Sequence, residues 1–485
     1  MKSIGIQNLK SIVNSGDIEL KNMTVVIGKN SSGKSTLLRT FPLLKQSITK
    51  SLSSPILWYG DYVDFGSFKK ALTHGASSNN VVLSFVFDSI DYNRSLYGLG
   101  LSRSLTETRI SLTIDDKNIT EYLIEFKNGN CLQLILGKKN YSVLVNGETV
   151  DGVLFQPSFE SGFFPRRVIE TDSSFDAHAS MIFDEYFFEF AFRRRRSELI
   201  DPIDFIFDKT KREKSIKSFF TFAKNGLLED PSHPYSKENM ASYLISEIIY
   251  GVLSSCEKAI RATFENVQYF EPLRTRGDRF YRVQGLNVKE VDSNGENAPM
   301  ILYGMKGTEK NKFQKWCEDN LGFFYDAVDV GDGNESASVV VHCNSNDDNY
   351  NMTDVGFGYS QIFPIVLSIW MSFFSREKSI SNKTVVIEQP ELHLHPAFQK
   401  KIIGTFLKLT KLAKEKNKDL KFIIETHSET IVNYLGQLIA DEKIDKNDIN
   451  LLVCNKINNE SVFKRMIFNK NGTIENWPSG FFSDD

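Results

Sequence analysis

Eight consecutive residues, Gly28-Lys29-Asn30-Ser31-Ser32-Gly33-Lys34-Ser35, constrain this chain more than any other stretch. They follow the apolar run Met23 to Ile27 and precede Thr36-Leu37-Leu38-Arg39-Thr40-Phe41, which has the character of a helix start. A strand delivers the chain to a bend where glycines let backbone N–H groups turn toward a phosphate. The following helix adds the positive end of its dipole. In such a loop Lys34 bridges the β- and γ-phosphates and the Ser35 hydroxyl holds Mg²⁺. A glycine- and serine-rich surface turn would share the composition but not the full spacing in a strand–loop–helix context. Gly28 through Thr36 are therefore expected to bind ATP with Mg²⁺.

With 485 residues, the chain is long enough for two to four average domains or one large α/β head with insertions. Apolar residues make up 41% and charged residues 25%, ordinary values that exclude a disordered chain. A net charge of -3 gives no global attraction to nucleic acid, so any such contact needs a local basic face. Cys131, Cys256, Cys317, Cys343 and Cys454 lie far apart without a CxxC pair or Cys/His metal spacing. Reduced thiols are expected. No long apolar segment opens the chain, and no uninterrupted apolar run of about eighteen residues follows, so the expectation is a cytoplasmic protein without a membrane partner.

Ile4 to Ile12 reads as a strand leaving through a polar corner, with further strands at Ile18 to Leu20 and Met23 to Ile27. A helix runs from the loop through Lys45 and Gln46. From Val81 to about Gly152 short alternating strands with hairpin signals at Asn128-Gly129 and Asn146-Gly147 predict an antiparallel layer. Helical periodicity, broken by Pro202 and Pro231, then extends to about Asn266. The expected organisation is an N-terminal lobe over 1–170, a mainly helical insertion over 171–266 and a C-terminal lobe over 267–485.

The insertion carries Arg193-Arg194-Arg195-Arg196. This run either grips phosphates of DNA or an acidic protein, or forms a solvated helix face paired with Asp184, Glu185, Glu189 and Glu198. The acidic neighbours and the net negative charge favour the second reading. In the Pro272-Leu273-Arg274-Thr275-Arg276 loop an arginine either approaches phosphate or satisfies loop carbonyls.

Asp354-Val355-Gly356-Phe357-Gly358-Tyr359-Ser360-Gln361 is a glycine-rich bend opening the apolar helix Ile362 to Phe374, a second helix N-terminus suited to an anion. The buried-strand run Thr384 to Ile387 ends in Glu388-Gln389-Pro390-Glu391-Leu392-His393-Leu394-His395-Pro396. Carboxylates at the end of a central strand are where a P-loop enzyme places its Mg²⁺ ligand and its water-polarising group. A further strand, Lys421 to Ile424, ends in Glu425-Thr426-His427-Ser428, and a histidine at such a tip can reach a γ-phosphate.

Taken together, the Asn-Leu-Lys start, the P-loop, the GxGxSQ bend, the E-Q-P-E-x-H-L-H-P strand end and the T-H-S tip resemble ABC-type ATPase heads. The branch groups structural-maintenance-of-chromosomes and RecF-like proteins with the overcoming-lysogenization-defect ATPases. The closing Ile474-Glu475-Asn476-Trp477-Pro478-Ser479-Gly480-Phe481-Phe482, with Tyr62 to Phe68 and the Pro-Leu-Arg loop, is similar to bacterial phage-defence ATPases of the Septu and PARIS type. The resemblance implies an α/β head with a mixed sheet, an antiparallel β layer and a helical insertion. It also implies a homodimer or larger homo-oligomer in which each ATP lies between one P-loop and the other subunit's signature loop. By position, Lys34 and Ser35 take phosphate and Mg²⁺, Glu388 supports Mg²⁺, Gly356, Gly358, Ser360 and Gln361 reach across the dimer, and His427 is the switch histidine. Asp64 and Gly66 lie where some relatives place the loop between lobes; Gln46 falls too early to be its glutamine.

The family's strand end usually reads acid-acid, the second acid polarising water, whereas here Gln389 follows Glu388. An amide cannot accept the proton. Either Glu391 is the base, or hydrolysis is slow and the ATP-bound dimer long-lived. About sixty residues follow His427, too few for an average domain, and they contain no DxD cluster or HNH motif. A nuclease or toxin effector is thus expected on a separate chain. The reading is a slowly hydrolysing ATPase acting as sensor or scaffold in anti-phage defence. The alternatives are a RecF-like DNA-clamping ATPase and a scaffold that binds ATP without cleaving it.

Overall fold

A computed structural model describes residues 1–50, 52–76, 78–94, 101–157, 163–168, 206–214, 237–274, 276–283, 290–331, 335–343, 349–374, 382–475 and 477. The Arg193–Arg196 run, most of the expected helical insertion and the end of the closing motif lie outside the described residues.

A seven-stranded sheet carries the P-loop. Its order is Val267–Phe270, Asn382–Glu388, Asp419–Glu425, Met23–Gly28, Ile449–Ile457, Glu460–Phe468 and Ile474–Glu475. The first five strands run parallel to one another, and each of the last two pairs antiparallel with the strand before it. Parallel strands covered on both faces need apolar side chains throughout, which explains their unbroken Val/Ile/Leu runs. Alternation then sorts the residues. Val26, Val386, Ile423 and Leu452 enter one core, while Val25, Ile27, Val385, Ile387, Ile424 and Val453 enter the other.

The first core lies between this sheet and a nine-stranded antiparallel sheet built from residues 3–19 and 81–168. Filling it are the helix Lys34–Ile48, which begins at the P-loop, and the helix Lys237–Phe264. The second core holds the helices Phe357–Phe374, Pro396–Glu415 and Glu429–Ala440 and a four-stranded sheet around Phe323–Val330 and Ser336–Cys343. Phe357–Phe374 is long and apolar enough by length and composition to cross a membrane, but its side chains from Ser360 to Trp370 are buried in this core. Trp477, from the closing motif, packs against the same core.

The chain start differs from the single strand expected over Ile4 to Ile12. Asn8 and Lys10 adopt left-handed backbone angles, and the chain folds back there into a hairpin of Ser3–Leu9 against Ile12–Glu19. All five cysteines are free.

Gln46 stands apart from the nucleotide loop. Its buried amide donates to the carbonyls of Leu57 and Val63 and accepts from the N–H groups of Tyr62 and Val63, holding the 57–63 loop on the P-loop helix. Replacing Gln46 with Ala should lower stability by about 2–3 kcal/mol, because buried backbone groups lose their partners. The exposed pair Lys50–Asp61 sets the contrast, and Lys50→Ala should change stability by less than about 0.5 kcal/mol in the same urea titration.

Candidate functional site

The loop's shape follows from two closely packed glycines and one strained serine. A Cβ on Gly28 would overlap the Cys454 carbonyl on the adjacent strand, and one on Gly33 would overlap Ser461. Gly33 also has φ 107°, and Ser31 has φ 60°. The helix from Lys34 starts without a side-chain cap and without an acidic residue in its first turn. That leaves its first N–H groups for an outside anion. Buried Ser32 Oγ has no protein partner. Lys34 Nζ donates to the carbonyls of Gly28 at 3.1 Å and Lys29 at 2.9 Å, and Lys29, Asn30 and Ser31 are exposed around it. These features fit a triphosphate in the loop.

Register places the carboxylates. Glu388 pairs with Glu425, and Glu425 with Val26, so the ends of three adjacent strands lie side by side. Glu425 is 3% exposed. Its Oε2 accepts from Ser35 Oγ at 2.8 Å, its Oε1 lies 3.7 Å from Lys34 Nζ and 4.0 Å from His427 Nε2. Burial, and then the neighbouring Glu388, push its carboxyl above the usual range.

Glu388 is held elsewhere. Arg39 Nε and Nη2 donate to its two oxygens at 2.8 Å each, and Tyr269 Oη donates to Oε1 at 2.6 Å. Its backbone carbonyl accepts from Nη2 of Arg274 at 2.8 Å. Arg274 is 4% exposed, and burial pulls its guanidinium down to about 10, still charged at neutral pH. Its Nε and Nη1 lack protein partners. The other loop arginines face outward: Arg276 lies 5.3 Å over the Phe357 ring, and Arg279 pairs with Asp354 at 2.6 Å.

A cleft of about 550 Å³ brings Asn30 of the P-loop together with Gln389, Glu391, His393, His427 and Ser428. Gln389 has φ 46°, a left-handed angle unusual for a residue with a side chain, and its N–H donates to the Glu425 carbonyl at 2.8 Å. Glu391 Oε1 accepts from the His427 N–H at 2.7 Å, and its Oε2 is buried. Burial raises the Glu391 carboxyl. Burial first and Lys34 second lower His427, so the imidazole is neutral at pH 7 and able to donate from one nitrogen. The two histidines of the H-L-H-P run do structural work: His393 meets Phe357 edge-on at 4.6 Å, and His395 Nδ1 caps the following helix through the Ala397 N–H.

The Gly356–Gln361 bend meets this cleft at His393. A Cβ on Gly358 would come within 2.8 Å of the His393 carbonyl oxygen, whereas exposed Gly356, at φ 101°, faces open space. Ser360 Oγ donates to the Phe357 carbonyl at 2.8 Å. Buried Gln361 accepts from the Arg274 N–H and donates to its carbonyl at 2.9 Å. The structure thus gathers the P-loop, Glu388, Gln389, Glu391 and His427 at one sheet end, and turns the Ser360 and Gln361 side chains inward. Sequence reasoning assigned no role to Arg39, Tyr269 or Glu425. Glu425 occupies its strand end as Glu388 does, and that shared position was the available signal.

The fold and site define a P-loop nucleotide-binding α/β protein. Residues 1–432 match the AAA ATPase domain family, and the chain belongs to that family. Residues 444–485 match a family described as protein of unknown function, DUF3696. Comparison with curated proteins finds no match. Among solved structures, the chain is similar to an Smc head domain with an extended coiled coil bound to the C-terminal domain of ScpA, derived from Pyrococcus furiosus. That match has 10% identity and a TM-score of 0.36, covering 96% of each chain. It is also similar to an SMC head domain from Thermotoga maritima, at 10% identity and a TM-score of 0.36, covering 96% of this chain and 98% of that one.

The Arg39–Glu388 pair is anchored on a carboxylate that is 2% exposed, while Arg39 itself is 41% exposed. Removing the cation leaves a buried charge partly uncompensated, and solvent at Arg39 reduces the effect. Arg39→Ala should therefore destabilise the nucleotide-free protein by about 2 kcal/mol, read from its urea midpoint.

Proposed function

We propose that this protein binds ATP with Mg²⁺ and hydrolyses it slowly, so that the bound state persists as a signal. Lys34 and the loop N–H groups hold the phosphates, and Ser35 with a strand-end carboxylate would hold the cation. Neutral His427 donates to the terminal phosphate. Bound Mg²⁺ would neutralise phosphate charge. The observation that carries the reading is Gln389: the residue after Glu388 lines the cleft beside Asn30 and His427, and its amide takes no proton from water. Glu391 is the carboxylate that lines the same cleft and serves as the base for the residual reaction.

In this reading two or more copies assemble around ATP. Exposed Gly356 and the N-terminus of the signature helix approach the nucleotide of the neighbouring subunit, with Gly358, Ser360 and Gln361 setting the bend. The similarity of the closing Ile474 to Phe482 segment, Tyr62 to Phe68 and the Pro-Leu-Arg loop to phage-defence ATPases supports a sensor or scaffold in bacterial anti-phage defence, controlling a nuclease or toxin on a separate chain. The assembly works in the cytoplasm.

Phosphate release measured alongside ATP-dependent oligomer size tests this function. The expected result is turnover below about 1 s⁻¹ with a larger species in ATP than in ADP; turnover of about 100 s⁻¹ or more would contradict slow hydrolysis. Glu391→Gln should abolish the remaining turnover while leaving ATP-dependent assembly intact. Lys34→Ala should weaken binding of an ATP analogue by about 10- to 100-fold, the loss expected for a buried charged donor.

A further inference from the structure

Two carboxylates end neighbouring strands, and their partners divide them. Glu388 has both oxygens occupied by the Arg39 fork and one of them also by Tyr269. Its strand is separated from the P-loop strand by the strand of Glu425. Each such step moves a backbone about 4.8 Å further from the loop. Glu425 stands on the strand hydrogen-bonded to the P-loop strand, and one of its oxygens already contacts the Ser35 hydroxyl.

We propose that Glu425, and not Glu388, is the protein carboxylate that joins Ser35 in holding the divalent cation. This rests on the reading that the P-loop binds ATP with Mg²⁺. Mg²⁺ takes oxygen ligands at about 2.0–2.1 Å in near-octahedral geometry, which sets adjacent ligands about 2.9 Å apart. Ser35 Oγ donates to Glu425 Oε2 at 2.8 Å, a hydrogen bond that puts both oxygens within reach of one cation. Glu425 also spans the two groups that a nucleotide must engage. With one oxygen on Ser35 and the other 3.7 Å from Lys34 Nζ, it compensates the lysine charge before phosphate arrives. Glu388 is then a positioning residue that fixes the P-loop helix to the sheet through Arg39.

A titration of the full chain with a fluorescent, non-hydrolysable ATP analogue, in EDTA and in Mg²⁺, separates the assignments. Wild type should bind about tenfold more tightly with Mg²⁺. Glu425→Gln should bind in EDTA at least as tightly as wild type, since a charge competing for Lys34 is gone, and should lose the Mg²⁺ gain. Glu388→Gln should keep that gain. Retention of the gain in Glu425→Gln, or its loss in both variants, overturns the assignment. Should Glu425→Gln fail to bind in EDTA, Glu425→Asp decides: a gain reduced severalfold supports the proposal, and a full gain overturns it. Wild type that binds no analogue in either condition refutes the nucleotide reading itself, a result distinct from any of these.

Discussion

The parallel register of three strands is the constraint on which the rest of this structure depends. Met23–Gly28, Asp419–Glu425 and Asn382–Glu388 lie side by side, and their backbone hydrogen bonds set Glu388 opposite Glu425 and Glu425 opposite Val26. Side chains alternate between faces with a period of two, so a slip of one residue would turn Glu425 away from Ser35 and drive Ile424 out of its core. The hydrophobic sorting into two cores therefore protects the chemistry at the strand ends. Packing and site are specified by the same register.

Charge balance at that sheet end is the second consequence. Lys34, Arg39 and Arg274 face Glu388, Glu391 and Glu425 in a region where Lys34, Arg274, Glu388 and Glu425 are buried, Glu391 is half-buried and Arg39 is the most exposed. Each cation has a distinct task. Lys34 closes the loop on its own carbonyls, Arg39 ties the P-loop helix to Glu388, and Arg274 ties the Glu388 carbonyl to the helix Phe357–Phe374, because Gln361 grips the Arg274 backbone. Glu388, Arg274 and Gln361 thus form a hydrogen-bonded chain from the P-loop helix to the Gly356–Gln361 bend.

Much of this architecture was legible in the chain itself. The P-loop spacing, the Val/Ile runs ending in Glu388 and Glu425, and the hairpin signals at Asn128-Gly129 and Asn146-Gly147 each depend on local backbone physics, so they survive without tertiary information. The partners of Glu388 were not legible. Arg39 lies 349 residues away and Tyr269 lies 119 away, and nothing in either local pattern distinguishes them from an ordinary helix-surface arginine or a strand tyrosine. The chain reversal at Asn8 and Lys10 was missed for a related reason, since left-handed turns at residues other than glycine leave only a faint compositional trace.

The sequence by itself determined that a phosphate-binding loop, a glycine-rich helix start and acid-bearing strand ends belong to one α/β protein, because glycine geometry, helix dipoles and strand periodicity act over a few residues. Only the tertiary structure decided which carboxylate meets Ser35, which one Arg39 occupies, and that Gln46 braces a loop. Those outcomes depend on strand order and register, which arise from contacts between residues hundreds of positions apart.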